Sequence, residues 1–283
     1  MPSIFSPLRY PGGKSQLYDY VRNIIQYNNL LGETYVEPFA GGAGLAMKLL
    51  LNNDVKRIII NDYDFAIYSI WYCILNYTDD FCDRIQQIEV SVEEHDRQRM
   101  VYYSGTTSIF DMGMAAFYLN RTNRSGVIKG GVIGGREQQG LYRIDARFNK
   151  EALINKIRAI AKEKDRIILY NLDAMDFLSN GILSHYYKTF INFDPPYVMK
   201  GSQLYKNAFS EQDHKALFQL IAKCKRKWIV TYDICPLVKE LYKDFRGAEI
   251  DITYSASNSG KAREYIFFSG NLSLPDTINL TNT

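Results

Sequence analysis

The sequence has few of the residues that would build a disulfide framework or a metal site. Its 283 residues include only four cysteines and three histidines, and neither type recurs at the short paired spacing of a metal-binding motif. These residues are Cys73, Cys82, Cys224, Cys235, His95, His185 and His214. We therefore expect a reducing compartment, no metal cofactor and a fold that depends on its hydrophobic core.

Long apolar runs are also missing. No uncharged run of about 18 apolar residues occurs, and the N-terminus has no apolar stretch behind a basic head. We therefore expect no membrane span and a cytoplasmic protein, in a bacterial or phage-infected cell. With 46% hydrophobic residues, the chain can bury one substantial core and still carry one inserted subdomain.

The net charge of +3 is too small to identify a partner, but the charge is unevenly distributed. Residues 121–150 hold seven Lys or Arg and only two acids, Glu137 and Asp145. A concentrated basic segment in a nearly neutral protein is typical of phosphate contact. A solvated basic loop is the alternative.

The most informative stretch is residues 190–197, which read Phe-Ile-Asn-Phe-Asp-Pro-Pro-Tyr. The two prolines exclude a helix, so Asp194 is predicted at the carboxyl end of a buried strand, where open α/β sheets place ligands. Pro195 and Pro196 have no N–H, which leaves nearby carbonyls without donors. Asp194 adds a second acceptor, and Tyr197 adds an aromatic face. The pattern predicts a planar target that carries an amino group, unless the strand simply ends at a proline turn.

A nucleobase amino group fits this description. Its lone pair is delocalised into the ring, so the nitrogen becomes nucleophilic only when acceptors hold its two hydrogens and favour a pyramidal geometry. Asp194 and the Pro195 carbonyl can be these acceptors, while Tyr197 stacks on a base that has left the duplex. A polar loop that could close over such a base follows in the sequence, with Lys200, Tyr205 and Lys206.

A glycine-rich turn between a predicted strand and a predicted helix indicates a nucleoside site. The strand Thr34–Glu37 leads into glycines 41, 42 and 44, and a second short strand ends at Asp62, where an acid is expected to bind ribose hydroxyls. The spacing is not the G-x-G-x-x-G of a dinucleotide fold, and Glu37 places an acid where a pyrophosphate would sit. S-adenosylmethionine, which is cationic and has no phosphate, therefore fits better than NAD.

Two further segments are predicted to contact this cofactor. In the turn-rich segment at residues 7–14, Tyr10 offers a stacking face and Lys14 a point charge for a carboxylate, unless the segment is only a surface turn before a helix. After the strand that ends at Tyr170, Asp173 could accept from the cofactor adenine or could only cap the next helix. The sequence does not separate Asp173 from Asp176 in this role.

The alternation of strands and helices is lost over residues 80–150, which we interpret as an insertion that binds DNA. A purely structural insertion is the alternative. Arg and Asn side chains can read guanine and adenine edges, and this segment contains both near a glycine-rich basic loop. The candidate nucleic-acid contacts are Arg121, Asn123, Arg124, Lys129 and Arg136.

Four motifs in this order resemble the Dam-type DNA adenine methyltransferase family. They are Leu8–Lys14, Tyr35–Gly42, Leu119–Arg121 and Asp194–Tyr197, and the similarity covers about residues 5 to 270. The resemblance implies an α/β fold with a Rossmann-like, S-adenosylmethionine-dependent methyltransferase sheet. It also implies a catalytic domain formed by residues 1–79 and 151–283, with an inserted, mainly helical target recognition domain at residues 80–150.

The resemblance further implies the roles of individual residues. The catalytic motif is Asp194, Pro195, Pro196 and Tyr197. The implied cofactor contacts are Tyr10, Lys14, Phe39, Gly41, Asp62 and Asp194, with Asp173 added from its position. The implied reaction is methyl transfer to the 6-amino group of a flipped adenine in double-stranded DNA. Two features depart from the family: Tyr10 stands where many members have Trp, and the segment after Arg121 differs from the part by which GATC-specific members read their outer bases.

Rival substrates remain open. RNA adenine, the DNA cytosine amino group or a protein glutamine amide would use the same Asp-Pro-Pro-Tyr pocket, and a phosphate-binding NAD enzyme is a weaker alternative. A cognate restriction endonuclease is an additional open partner. The sequence specifies neither the recognition sequence nor the oligomeric state.

Overall fold

The computed structural model describes residues 5–10, 13–199, 209–253 and 261–276. Its strands are β1 Thr34–Glu37, β2 Arg57–Asn61, β3 Ile167–Tyr170, β4 Thr189–Phe193, β5 Lys227–Asp233, β6 Arg246–Thr253 and β7 Lys261–Phe268. They form one sheet in the order β3-β2-β1-β4-β5-β7-β6. Strands β1 to β5 are parallel, whereas β7 is antiparallel to both β5 and β6. The predicted α/β fold is confirmed.

The α-helices of the described chain begin mostly after polar capping residues. They are α1 Tyr18–Tyr27, α2 Gly44–Leu51, α3 Phe65–Asn76, α4 Thr78–Gln87, α5 Val92–Tyr103, α6 Ile109–Thr122, α7 Lys150–Ala161, α8 Ala174–Ser179, α9 Glu211–Lys223 and α10 Pro236–Leu241. Ser210 and Asp213, for example, form a capping box at the start of α9. None of the helices in these residue ranges has the length and apolar character needed to cross a membrane.

The parallel strands are buried on both faces, as their runs of apolar residues require. Side chains alternate between the faces, so Tyr35 and Ile58 join one hydrophobic cluster while Val36 and Ile59 join the other. The register pairs Tyr35 with Ile58 and Val36 with Ile59. The core is therefore divided into two layers by the sheet, with helices covering each side.

The chain adds strands to the sheet on one side of β1 and then on the opposite side, starting with β4. From β1 the chain proceeds to β2 and β3, whereas from β4 it proceeds to β5 on the other side. Because the two crossovers diverge, a crevice forms outside the carboxyl ends of β1 and β4. The pairing of Val36 with Ile191 brings the turn after Glu37 beside Asp194. The fold thus places the two sequence-predicted centres, the glycine-rich turn and the catalytic motif, at one edge.

The segment at residues 80–150 is mainly helical and packs directly on α3. A Cβ atom at Gly113 of α6 would lie 2.7 Å from the Ser69 carbonyl oxygen and 2.7 Å from Cys73 Sγ, so only glycine allows this close helix approach. The hydrophobic cluster of this segment is continuous with one layer of the sheet. The predicted domain boundaries fall inside α4 and α7, and the division into two domains at these points stays a prediction.

Candidate active site

Asp194 lies directly after β4, at the carboxyl edge of the sheet where the sequence predicted it. Its Oδ1 accepts hydrogen bonds from Lys14 Nζ at 2.9 Å and from Thr231 Oγ1 at 2.9 Å. No group in the described residues donates to Oδ2 or to the Pro195 carbonyl, and the Asp194 side chain remains 24% exposed. One carboxylate oxygen is therefore held by the protein, while the other is open to a ligand.

A buried network holds Lys14 against Asp194. Lys14 Nζ donates to the Tyr197 hydroxyl at 2.8 Å and lies 3.5 Å from Glu264 Oε2. The Tyr197 hydroxyl in turn donates to Glu264 Oε1 at 2.5 Å. Lys14, Tyr197 and Glu264 are all buried. The network therefore joins the N-terminal segment, the end of β4 and strand β7.

Glu264 is a site residue that sequence reasoning missed. It is only 2% exposed and stands opposite Asp233 in the β5–β7 register. The sequence signal that could have identified it is an acid directly before the apolar run from Tyr265 to Phe268, since an acid in a buried strand usually has a partner. Asp233 itself accepts from the Val198 and Met199 N–H groups at 3.0 and 2.8 Å, and so anchors the backbone just beyond the catalytic motif.

The charges of the network determine its protonation. Burial disfavours the protonated form of Lys14, but the carboxylates of Asp194 and Glu264 outweigh this effect and raise the pKa of Lys14. Burial also raises the pKa of Asp194, with Glu264 adding to the increase and Lys14 opposing it. The ammonium is thus the counter-charge that allows two carboxylates to share one buried site.

Tyr197 does not present the stacking face that the sequence predicted. Tyr197 is 4% exposed, and its hydroxyl forms hydrogen bonds with Lys14 and Glu264. The hydrogen bonds draw the ring inward, so in this arrangement it is not a surface for an extruded base. The predicted role of Tyr197 is therefore corrected for this conformation: the hydroxyl supports the ionic network behind Asp194.

The glycine-rich turn after β1 is built around Gly41. This residue has φ +47°, its N–H donates to Asp62 Oδ2 at 2.7 Å, and its carbonyl accepts from Trp71 Nε1 at 3.0 Å. The Tyr10 ring packs against the turn so closely that a Cβ at Gly41 would lie 2.6 Å from Tyr10 Cε1. Three predicted cofactor residues, Tyr10, Gly41 and Asp62, are therefore brought together.

Asp62 closes the turn and also retains hydrogen-bonding capacity. Its Oδ1 accepts from the Asp64 N–H at 2.9 Å. Burial raises the pKa of Asp62 to about 7, although the Gly41 and Asp64 N–H groups oppose this shift. Each oxygen keeps a second lone pair, which leaves acceptors for hydroxyl groups of a ligand.

Glu37 differs from its predicted role. It is 5% exposed, and its Oε1 accepts from the Tyr35 hydroxyl at 3.0 Å and from the Ala46 N–H at 3.2 Å. Burial raises the pKa of Glu37 to about 8, which disfavours its ionised form. The inference that Glu37 presents a negative charge to the ligand is corrected. The argument against a pyrophosphate then depends on the glycine spacing alone.

Two other predicted cofactor contacts lie at the same edge of the sheet. Asp173 caps α8 by accepting from the Met175 N–H at 2.8 Å, so the capping alternative describes its contact here. Phe39 is half-buried in an edge-to-face contact with Phe209, with their ring centroids 6.0 Å apart. Their roles toward a cofactor stay predictions.

Three of the candidate nucleic-acid contacts are exposed. Arg124 and Lys129 make no ion pair with the described residues. Arg136 forms two hydrogen bonds with the carboxylate of Asp96, at 2.9 and 2.6 Å, and would have to give up this partner to bind a phosphate. Arg124 and Lys129 are therefore the freer of these cations.

The other two candidates have structural contacts. Asn123 is fully buried: its amide donates to the carbonyls of Val127 and Ile128, and its Oδ1 lies 2.7 Å from His95 Nε2. This packing corrects the prediction that Asn123 reads a base, because its polar atoms are already bonded away from solvent. Arg121 is half-buried and donates to backbone carbonyls.

Some predicted residues fall outside the described ranges. Part of the turn after Tyr10, at Pro11 and Gly12, is among them. The polar loop predicted to close over a base also lies there, with Lys200, Tyr205 and Lys206.

The sheet order, with an antiparallel β7 between β5 and β6, and the polar site at the switch point define a Rossmann-like fold with a ligand site at its carboxyl edge. The family model described as D12 class N6 adenine-specific DNA methyltransferase matches residues 10–256. The chain belongs to this family. The expected class is thereby confirmed: it is a DNA methyltransferase that acts on adenine.

Curated relatives agree with this assignment at low identity. The chain is 23% identical over 257 residues to the type II methyltransferase M.CviBI of Paramecium bursaria Chlorella virus NC1A, covering 87% of this chain and 90% of the relative. It is 22% identical over 204 residues to the type II methyltransferase M.MjaIII of Methanocaldococcus jannaschii, covering 67% and 68%.

Among solved structures, a candidate RNA methyltransferase from Pyrococcus horikoshii is similar with a TM-score of 0.44 and 11% identity. The superposition covers 95% of this chain and 89% of that one.

Proposed function

We propose that this protein transfers a methyl group from S-adenosylmethionine to the 6-amino group of an adenine flipped out of double-stranded DNA. The observation that carries the proposal is a pair of acceptors at the end of β4 that have no donor among the described residues. Asp194 Oδ1 is held by Lys14 and Thr231, whereas Oδ2 and the neighbouring Pro195 carbonyl have no donor in the described chain. Two adjacent acceptors suit the two hydrogens of one amino group.

The acceptors act on the amine in two ways. By accepting its N–H bonds, Asp194 and the Pro195 carbonyl favour a nitrogen whose lone pair is localised and can attack a methyl group. Positive charge then develops on the nitrogen, so an ionised Asp194 stabilises the transition state more than the neutral ground state. A strong general base is not required, because the methylated amine readily loses a proton to the carboxylate or to water.

The residues at the glycine-rich turn fit S-adenosylmethionine, which supplies an electrophilic methyl group on its sulfonium. Gly41 has no side chain on the backbone that faces Tyr10, and Asp62 keeps acceptor capacity for ribose hydroxyls. The role of Lys14 toward the cofactor carboxylate stays a prediction, because its ammonium is buried here and paired with Asp194 and Glu264. Tyr10, Lys14 and Asp62 would hold the cofactor, with Phe39 and Asp173 at its borders.

The DNA contacts are proposed on exposure and charge. Arg124 and Lys129 are the preferred contacts, and Arg136 is added if Asp96 releases it. The naming of both curated relatives as type II methyltransferases supports a restriction endonuclease as a functional partner. We place the reaction in the cytoplasm of a bacterial or phage-infected cell.

The test is to incubate the protein with tritiated S-adenosylmethionine and unmethylated genomic DNA, and then to digest the DNA to nucleosides. Label should appear on N6-methyladenine. Label on cytosine would correct the base, and label on RNA or protein instead of DNA would contradict the proposal.

A variant pair makes this test specific to the site. Asp194→Ala should abolish labelling and keep DNA binding, because it removes the acceptor and leaves the cations of the insertion in place. Asp165→Ala, an exposed acid between α7 and β3, should label DNA like the wild type. Loss of DNA binding in Asp194→Ala would contradict the role given to this residue.

A further inference from the structure

Arg121 connects the N-terminal segment to the chain that precedes α7. Its Nε donates to the Arg147 carbonyl at 2.7 Å, its Nη2 donates to the same oxygen, and its Nη1 donates to the Pro7 carbonyl at 3.3 Å. All of these partners are neutral backbone groups. The guanidinium is therefore held in position while its positive charge is left without a carboxylate.

Arg9 and Arg147 bring two more positive charges to the same place. The Asn120 side chain accepts from the Arg9 N–H at 2.9 Å and donates to its carbonyl at 2.6 Å, and Arg9 Nη1 donates to the Asn123 carbonyl at 2.9 Å. The exposed guanidinium of Arg147 lies 5.8 Å from the centre of the Tyr142 ring. The bond to the Asn123 carbonyl and the contact with the Tyr142 ring position these two guanidiniums without neutralising them.

No ion pair to an acid is made by Arg9, Arg121 or Arg147 within the part of the chain that the structure describes. Other arginines of that part do have acidic partners, for example Arg22 with Asp54. The three guanidiniums therefore form a local excess of positive charge that the fold does not neutralise.

The pKa shifts of these groups agree with a cluster of unneutralised cations. Burial lowers the pKa of Arg121 to about 9, and repulsion from Arg9 and Arg147 contributes to the shift. Burial, and then Arg147, also lower the pKa of Arg9. Lys156 is affected in the same way, by burial and by Arg121. This mutual repulsion is unfavourable in the free protein, and a bound anion would relieve it.

We propose that Arg9, Arg121 and Arg147 bind a phosphate group of the substrate DNA backbone. The inference rests on the proposed function and adds a site to it. Guanidiniums suit phosphate because their planar N–H groups bind its oxygens in pairs. The position is also suitable, because Arg9 is adjacent to Tyr10 at the cofactor turn, while Arg121 lies in the last turn of α6 in the insertion. A phosphate bound here would connect DNA to both parts of the protein.

Arg147→Gln is the sharpest test, because the Arg147 side chain makes no hydrogen bond within the described residues and its backbone carbonyl stays in place. Binding of a DNA duplex is measured against salt concentration. Loss of one phosphate contact should reduce the slope of log affinity against log salt by about 0.9. At 0.1 M salt this corresponds to about eightfold weaker binding than wild type, taking 1 M as the reference.

The matched control is Lys239→Gln, which removes an exposed cation from α10. It carries the same charge change outside the cluster and should keep the wild-type slope. Thermal unfolding separates binding from folding: Arg147→Gln relieves repulsion, so its midpoint should equal or exceed that of wild type. A midpoint several degrees lower would identify Arg147 as a structural residue and overturn the site.

The source of the phosphate is tested with inorganic phosphate. If millimolar phosphate raises the melting temperature of wild type but Arg147→Gln retains the wild-type salt slope on DNA, the cluster binds free phosphate and the DNA inference is wrong. An unchanged slope without phosphate stabilisation overturns the site altogether. Failure of the wild type to bind or methylate any duplex would instead overturn the proposed function, so the two failures are distinguishable.

Discussion

Replacing Lys14 with Met removes the ammonium that pairs with both Asp194 and Glu264 in the buried network. The wild-type ammonium lies 2.9 Å from Asp194 Oδ1 and 3.5 Å from Glu264 Oε2. At an effective dielectric constant of about 20, these separations correspond to gross attractions of about 6 and about 5 kcal/mol. Desolvation offsets most of this, and breaking a buried pair costs about 3–5 kcal/mol in practice. We expect Lys14→Met to lose about that much unfolding free energy at pH 8.

The pH dependence of the stability loss tests whether its cause is electrostatic. Burial already raises the pKa of Asp194, and without the opposing ammonium it should lie further above its unfolded value. The Asp194 carboxyl group then stabilises the fold while protonated and loses that contribution as pH rises. The deficit of Lys14→Met should therefore shrink between pH 8 and pH 5. Urea unfolding of the variant and of wild type at both pH values measures it, with Lys239→Met as a surface control. An equal deficit at both pH values would refute the electrostatic account and indicate lost packing only.

Two further predictions concern the same edge of the sheet. Glu264→Gln should shift the acidic limb of the kcat–pH profile to lower pH, because Glu264 contributes to the raised pKa of Asp194. A shift to higher pH would contradict the electrostatic coupling of Glu264 to Asp194. Gly41→Ala should raise the KM for S-adenosylmethionine at least tenfold, because a Cβ there meets a ring at 2.6 Å on a backbone with φ +47°. Gly131→Ala, where a Cβ would meet no atom within 4 Å, is the matched control and should leave this KM unchanged.

Local sequence chemistry was sufficient to locate the two centres of the site. An apolar run followed by Asp194 and two prolines favours a strand with an extended exit, because proline cannot continue a helix interior or donate to a strand ladder. The turn at Gly41 could also be located from the sequence, because its positive φ favours glycine. That the two centres meet was implied by the family resemblance, and the parallel pairing of β1 with β4 places them at one edge. The resemblance in four motifs then indicated the family.

The partners of the site residues were decided only by the tertiary structure. Glu264 reaches Tyr197 and Lys14 because β7 inserts antiparallel beside β5, and this register is a non-local property that no short motif encodes. For the same reason the sequence could not show that Asn123 is buried, since its environment is formed by residues that other elements bring to it. Residue type and spacing thus determined which groups stand at the end of each strand. Packing between distant segments determined which of them are neutralised, which are buried and which remain open to a ligand.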